Sequence, residues 1–163
     1  GEGQIETLTY EAYAPGGTAL IIECLTDNRN RTANDVKHLL SKSGASLANS
    51  GAVTYLFDHV GVVRIPALLS PDRRDELELL FIDAGASDVI AEEGTTEVRC
   101  AMHDLANVAD AVTKSGHPTD VVEFQWIPKT LVETDEQIGM QLADLIDLLE
   151  EHDDVSRVFS NLA

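Results

Sequence analysis

A chain of 163 residues with 29 Asp and Glu against 11 Lys and Arg has a formal net charge of -18, and such a chain repels DNA, RNA and anionic lipid unless its cations cluster. With 44% hydrophobic residues it can bury a core, and two Cys are too few for a disulfide framework or a four-Cys zinc site. The length allows one domain or two small ones. The absence of an apolar run near ~18 residues and of a signal peptide leads us to expect a cytoplasmic protein with no membrane partner.

The chain opens on Gly1 without a Met, as a truncated or processed chain would. Thr7–Ala14 alternates loosely, carries Tyr10 and Tyr13, and predicts a strand. Pro15-Gly16-Gly17 is a turn signal, and Thr18–Thr26, apolar on both faces, predicts a central strand. Thr32 with Asp35 three residues on predicts a helix start, Val36, Leu39 and Leu40 its apolar stripe, and Gly44 its stop. Ala52–Asp58 predicts a third strand.

Gly61–Ala67 predicts the next strand, and Ser70-Pro71-Asp72 a helix start whose buried face is Leu77, Leu80, Phe81 and Ala84. Asp88–Glu92 and Glu97–Ala101 flank a hairpin signal at Glu93-Gly94-Thr95-Thr96. Asp104 is expected to cap a helix carrying Leu105, Val108, Ala109 and Val112, and Val121–Ile127 is the following strand. The order β-α-β-β-α-β is the ferredoxin-like arrangement. Thr134 and Gln137 suggest a capping box before Ile138, Leu142, Leu145 and Leu149, which share one helical face, and Val155–Ser160 closes the chain as a strand.

The expected class is therefore α+β in two lobes. Residues 1–58 and 130–163 are each too small to bury a core well alone. They are expected to form one split α+β domain, with a ferredoxin-like domain, residues 59–129, inserted between them. Three small modules in a row is the rival arrangement.

Catalytic signatures are missing. No GxGxxG (Gly1-Glu2-Gly3 lacks the third Gly), GxxxxGK[ST], HExxH, CxxC or GxSxG occurs, and the five His are scattered. Cys24 in its apolar strand is expected to be a buried, inert thiol, and Asp153-Asp154 a turn, not an acid/base pair. No enzyme activity, metal, cofactor or small-molecule substrate is expected. The acidic helix over 135–154 reads as a solvated face, or as a surface for a protein partner.

Two features stand out. Residues 27–42 carry Arg29, Arg31, Lys37 and Lys42 against Asp27 and Asp35, a net positive stretch in an acidic chain. Its loop, Thr26-Asp27-Asn28-Arg29-Asn30-Arg31-Thr32, joins a buried strand to a helix N-terminus, where guanidinium forks and the helix dipole both suit phosphate. Asn28, Arg29, Asn30, Arg31 and Lys37 are accordingly the candidate nucleic-acid contacts. Pairing of the arginines with Asp27 and nearby acids is the plainer alternative. The arginines, if exposed, would be dispensable for stability. The second feature is Tyr13-Ala14-Pro15-Gly16-Gly17, a hairpin turn in which Tyr13, Gly16 and Gly17 are candidates for a functional loop.

The run YEAYAPGGTALIIECLTDNRNRTANDVKHLLSKSGASLANSGAVTYLF, with the later WIPKTLVE and LLEEHDDVSRVFSNL, resembles the YebC/PmpR family over essentially the whole chain. The family includes translational activators of cytochrome oxidase. The resemblance implies a three-domain protein of which this chain supplies the second and third domains, the last ferredoxin-like and inserted in the second. The family's basic N-terminal helical segment is not among these residues. It also implies a regulator of gene expression: a transcriptional regulator binding promoter DNA through the full-length protein, or a ribosome-associated translation factor relieving stalling at proline runs. Expected partners are thus DNA, or rRNA and tRNA on the ribosome, bound by the full-length protein and only weakly, without sequence preference, by this stretch. A protein-interaction module using the acidic C-terminal helix is the further alternative.

Overall fold

In a computed structural model of the chain, residues 3–163 are described; Gly1 and Glu2 lie outside them. The elements run β1 (Glu6–Ala14), β2 (Thr18–Thr26), α1 (Arg29–Lys42), β3 (Ser46–Ala48), β4 (Phe57–Ile65), α2 (Arg74–Asp83), β5 (Ala86–Glu92), β6 (Thr95–Cys100), α3 (Leu105–Lys114), β7 (Val121–Pro128), α4 (Glu136–Glu151) and β8 (Val155–Ser160). The chain is α+β and divides into two compact units, one of Gly1–Asp58 with Ile127–Ala163, the other His59–Trp126.

The first unit holds a four-stranded antiparallel sheet of order β3-β1-β2-β8. Alternation sends Ala12, Ala14, Leu20, Ile22 and Cys24 to one face, where α1 covers them with Val36 and Leu40, and α4 with Leu142, Leu145 and Leu149. The second unit holds the sheet β5-β6-β4-β7, with α2 joining β4 to β5 and α3 joining β6 to β7. That is the ferredoxin-like order, and its core sets Val63, Ile65, Val98 and Cys100 against Leu77 and Phe81 of α2 and Val108 and Val112 of α3.

Several boundaries differ from the sequence reading, each for a local reason. Residues 52–56 are not strand. The buried Glu11 carboxylate accepts the backbone N–H groups of Gly51 (2.6 Å), Val53 (2.9 Å) and Thr54 (2.9 Å), so these donors cannot join a ladder, and the segment closes as a 3₁₀ turn over Thr54–Leu56. Strand β4 then runs unbroken from Phe57 to Ile65 through Gly61, where a Cβ would meet Cys100 Sγ at 2.9 Å and Leu105 at 3.1 Å. The first helix begins three residues before Thr32, because the Asn28 side chain accepts the Arg31 N–H at 3.1 Å. Asp135, not Thr134, caps α4, accepting the Ile138 N–H at 2.8 Å. Neither Ser70 nor Asp104 makes a side-chain cap: Ser70 begins a turn, its carbonyl accepting the Arg73 N–H at 3.0 Å, and a 3₁₀ turn at Met102–Asp104 leads into α3. The short strand β3 carries no period of its own to announce it.

Candidate nucleic-acid interface

The loop between β2 and α1 is a hydrogen-bonded knot. Thr26, at the end of β2, accepts the Asn28 N–H at 2.9 Å, and Asn28 caps the helix. The Thr32 hydroxyl, fully buried, donates to Asp154 Oδ2 at 2.8 Å and lies 2.8 Å from Thr26 Oγ1. Asp154 sits between α4 and β8 and is 8% exposed. Arg31 folds its guanidinium onto it, with Nη2 at 3.0 Å from both carboxylate oxygens and Nε at 3.3 Å from Oδ2, and reaches Asp27 at 3.3 Å. Burial would raise the Asp154 pKa; the Thr32 hydroxyl and the Arg31 guanidinium overcome it and hold the carboxyl below its ordinary value.

The candidate residues therefore part company. Arg29, on the exposed rim, pairs with Glu6 at 3.0 Å. Arg31 is held in the knot, which departs from the expectation that it is dispensable for stability. Beside it lies a cleft of about 550 Å³ walled by Asp35, Glu151, Asp153 and Asp154, with His152. His152 Nδ1 accepts the Asp154 N–H at 3.0 Å while Nε2 donates to Asp35 at 2.8 Å, so the ring is the Nε2–H tautomer. Four carboxylates against one arginine repel a polyanion on that side.

The outer face of α1 differs. Asn30, Asn34, Lys37, His38 and Ser41 are exposed there, and Lys42 ends the helix. Asp35, the helix's single acid, is engaged by His152. Lys37 and Lys42 make no ion pair with any described residue, whereas Arg29 and Arg31 both do. Of this face the sequence reading named Asn30 and Lys37 as candidates; Asn34, His38 and Ser41 share it, at a 3-4 spacing around Lys37.

Of the second loop, Gly16 and Gly17 have φ of +77° and +74°. A Cβ on Gly16 would lie 2.7 Å from the methyls of Thr134 and Ile138, so Gly16 lets the hairpin tip pack against the start of α4; Gly17 faces open space. Tyr13 stands exposed on the opposite face of the sheet from the core. Among the described residues no group of three or more His, Cys, Asp or Glu is placed to hold a metal. Burial pushes the Cys24 thiol up to about 11, away from thiolate chemistry. No helix of the described residues is long and apolar enough to cross a membrane.

Comparison with known proteins agrees with this architecture. Residues 5–162 match a family model described as the second and third domain of TACO1/YebC. A "Probable transcriptional regulatory protein" of Kosmotoga olearia is 42% identical over 161 residues, 99% of this chain and 63% of that protein. One from Dehalococcoides mccartyi is 43% identical over 166 residues, 99% of this chain and 65% of that protein. These names are those of regulators and not of enzymes. The crystal structure of a conserved hypothetical protein, Aq1575, from Aquifex aeolicus superposes with a TM-score of 0.86 at 37% identity, over 100% of this chain and 66% of that one. The chain thus spans just under two thirds of the length of the relatives it matches, and with a match from residue 5 to residue 162 it belongs to the TACO1/YebC family.

Proposed function

We propose that the chain serves a regulator of gene expression in the cytoplasm, a transcriptional regulator by its relatives' name, and that it contributes the outer face of α1 to a nucleic-acid contact. One observation carries this reading: in a chain of net charge -18, that face is free of acids and presents Lys37 and Lys42 without ion-pair partners among the described residues. Side-chain amides, a hydroxyl and ammonium groups in one helical strip suit phosphate and sugar oxygens, which position a protein on a duplex or a folded RNA without reading sequence. Arg29 adds to the rim by exchanging Glu6 for a phosphate, while Asn28 and Arg31 act from behind by fixing the helix start.

Two cations give little affinity alone, so the contact belongs to a protein of the relatives' length. In that protein Lys37→Glu with Lys42→Glu should leave the melting temperature unchanged. It should weaken nucleic-acid association and lower the slope of log K against log salt by about 1.5–2, the share of two phosphates. An unaltered affinity and salt slope would remove α1 from the interface. The same variant separates the two family roles. Changed transcription from particular promoters supports the DNA reading, whereas ribosome pausing at proline runs, seen by ribosome profiling, supports the translation reading.

A further inference from the structure

We propose that Tyr13 and Tyr55 form a stacking platform for an unpaired nucleobase, with Lys129 beside them for the adjoining phosphate. This rests on the nucleic-acid reading above and adds a second, chemically different contact. Both rings are unusually open for aromatic side chains: Tyr13 is 53% and Tyr55 66% exposed, whereas Tyr10, on the other face of β1, packs against the core.

Their backbones are rigid. Tyr13 lies in the middle strand of three, paired with Ala19 of β2 and Ser46 of β3. Two residues before it on the same face, Glu11 reaches across to the N–H groups of Gly51, Val53 and Thr54, which places Tyr55 as the residue after the clamp. The Leu56 N–H donates to the Val53 carbonyl at 3.0 Å, and the Leu56 carbonyl accepts the Lys129 N–H at 2.9 Å. Tyr55 is thus fixed on both sides, and Lys129 is brought to the same turn. Two rings mounted on fixed backbone lose little entropy on binding.

The surroundings favour a base over a protein surface. Residues 12–22 and 43–57 contain no charged side chain in a chain of net charge -18. The Glu11 carboxylate is buried and its oxygens are taken by backbone donors. Lys129 is exposed and makes no ion pair with a described residue. Exposed Ser46, Asn49 and Ser50 border the turn and offer hydrogen bonds to a base edge. Isolated rings, small polar groups and a lysine match single-stranded nucleic acid, where bases stack on aromatic side chains without regard to sequence.

The test is anisotropy at low salt with a fluorescent single-stranded 12-mer of uridine and a matched RNA duplex, on the 163-residue chain and its variants. Tyr13→Ala and Tyr55→Ala should each weaken single-strand binding roughly 5- to 100-fold, with duplex binding unchanged and with Tyr→Phe at each position restoring wild-type affinity. Lys129→Gln should lower the single-strand salt slope by about 0.7. A 4-thiouridine version should crosslink to peptides carrying Tyr13 or Tyr55, a readout on the wild-type chain that does not depend on a variant folding. Folded Ala variants that bind as wild type, failure of Phe to restore binding, or crosslinks confined to other peptides would each overturn the platform. If those variants bind normally while the Lys37, Lys42 variant does not, the platform is wrong and the nucleic-acid reading stands. If the wild-type chain binds neither strand nor duplex, the platform falls, and the nucleic-acid reading is decided by the Lys37, Lys42 variant in a protein of the relatives' length.

Discussion

Asp154 ties α1 to the end of α4 in the first unit: it takes the Thr32 hydroxyl and the Arg31 guanidinium, both from the first turn of α1, and through its own N–H it holds His152 just after α4. Replacing Arg31 by Ala leaves a carboxylate that is mostly buried with Thr32 as its remaining side-chain donor, so the melting temperature should fall. Arg29→Ala, which opens only an exposed pair with Glu6, should leave it where it is. The pH dependence has a definite sign. The folded-state pKa of Asp154 is lowered, so its contribution is fully present above the unfolded carboxylate value of about 3.9 and is lost as pH falls through the lower folded value. The gap in urea midpoint between wild type and Arg31→Ala should be wide at pH 7 and narrower at pH 3. An equal gap at both values would mean that Arg31 stabilises through something other than the Asp154 charge. Pairing of the arginines with Asp27 and nearby acids was legible in the sequence, but Asp154 was not, because it lies 123 residues from Arg31 and no periodicity links them.

At the scale of elements, the regular pieces were readable and the joints were not. Strands β2 and β8 match the sequence reading residue for residue, since alternation and flanking turn residues are local properties. The misread strand at Ala52–Asp58 shows the opposite case: AVTYLFD has strand composition, but the donors it would need are taken by Glu11, some 40 residues away. The α1 helix was recognised by its stripe of Val36, Leu39 and Leu40, yet its useful outer face was reduced to Asn30 and Lys37, because uncharged Asn34 and Ser41 look inert until the acids elsewhere are placed. The hairpin tip provides a controlled comparison. Gly16 and Gly17 both have positive φ, but only Gly16 has the methyls of Thr134 and Ile138 in the way. Gly17→Ala should therefore cost about 1–2 kcal/mol for its backbone conformation, and Gly16→Ala about 1–3 kcal/mol more for overpacking against α4. Chemical denaturation of the two variants checks this, and equal losses would mean that α4 yields freely at its first turn.

For the whole molecule, the organisation into two units follows from counting apolar faces. The pieces before β4 and after β7 each lack a partner layer until they meet, whereas β4 to β7 close a core among themselves. Both units are acidic enough that the proposed nucleic-acid contacts fall on small islands, the α1 face and the Tyr13–Tyr55 turn, which stand in the sequence as gaps in the acidic pattern. The Leu56–Lys129 backbone bond has a further consequence for folding. To the first unit, the 68 residues His59–Trp126 are a loop whose ends must be brought together. While that insertion is folded, its own sheet, with β4 and β7 as neighbours, holds those ends together and closure is free. Unfolded, it is a flexible tether, and closing it rather than a four-residue link costs the first unit about 2.5 kcal/mol, about 0.6 for each doubling of length. Phe81→Ala, deep in the second core, should therefore destabilise the first unit too once the second has melted. Replacing residues 59–126 by four glycines should restore that loss, as read by the denaturation midpoint of the first unit. The insertion thus acts as a conditional staple, lending stability to its host only for as long as it is itself folded.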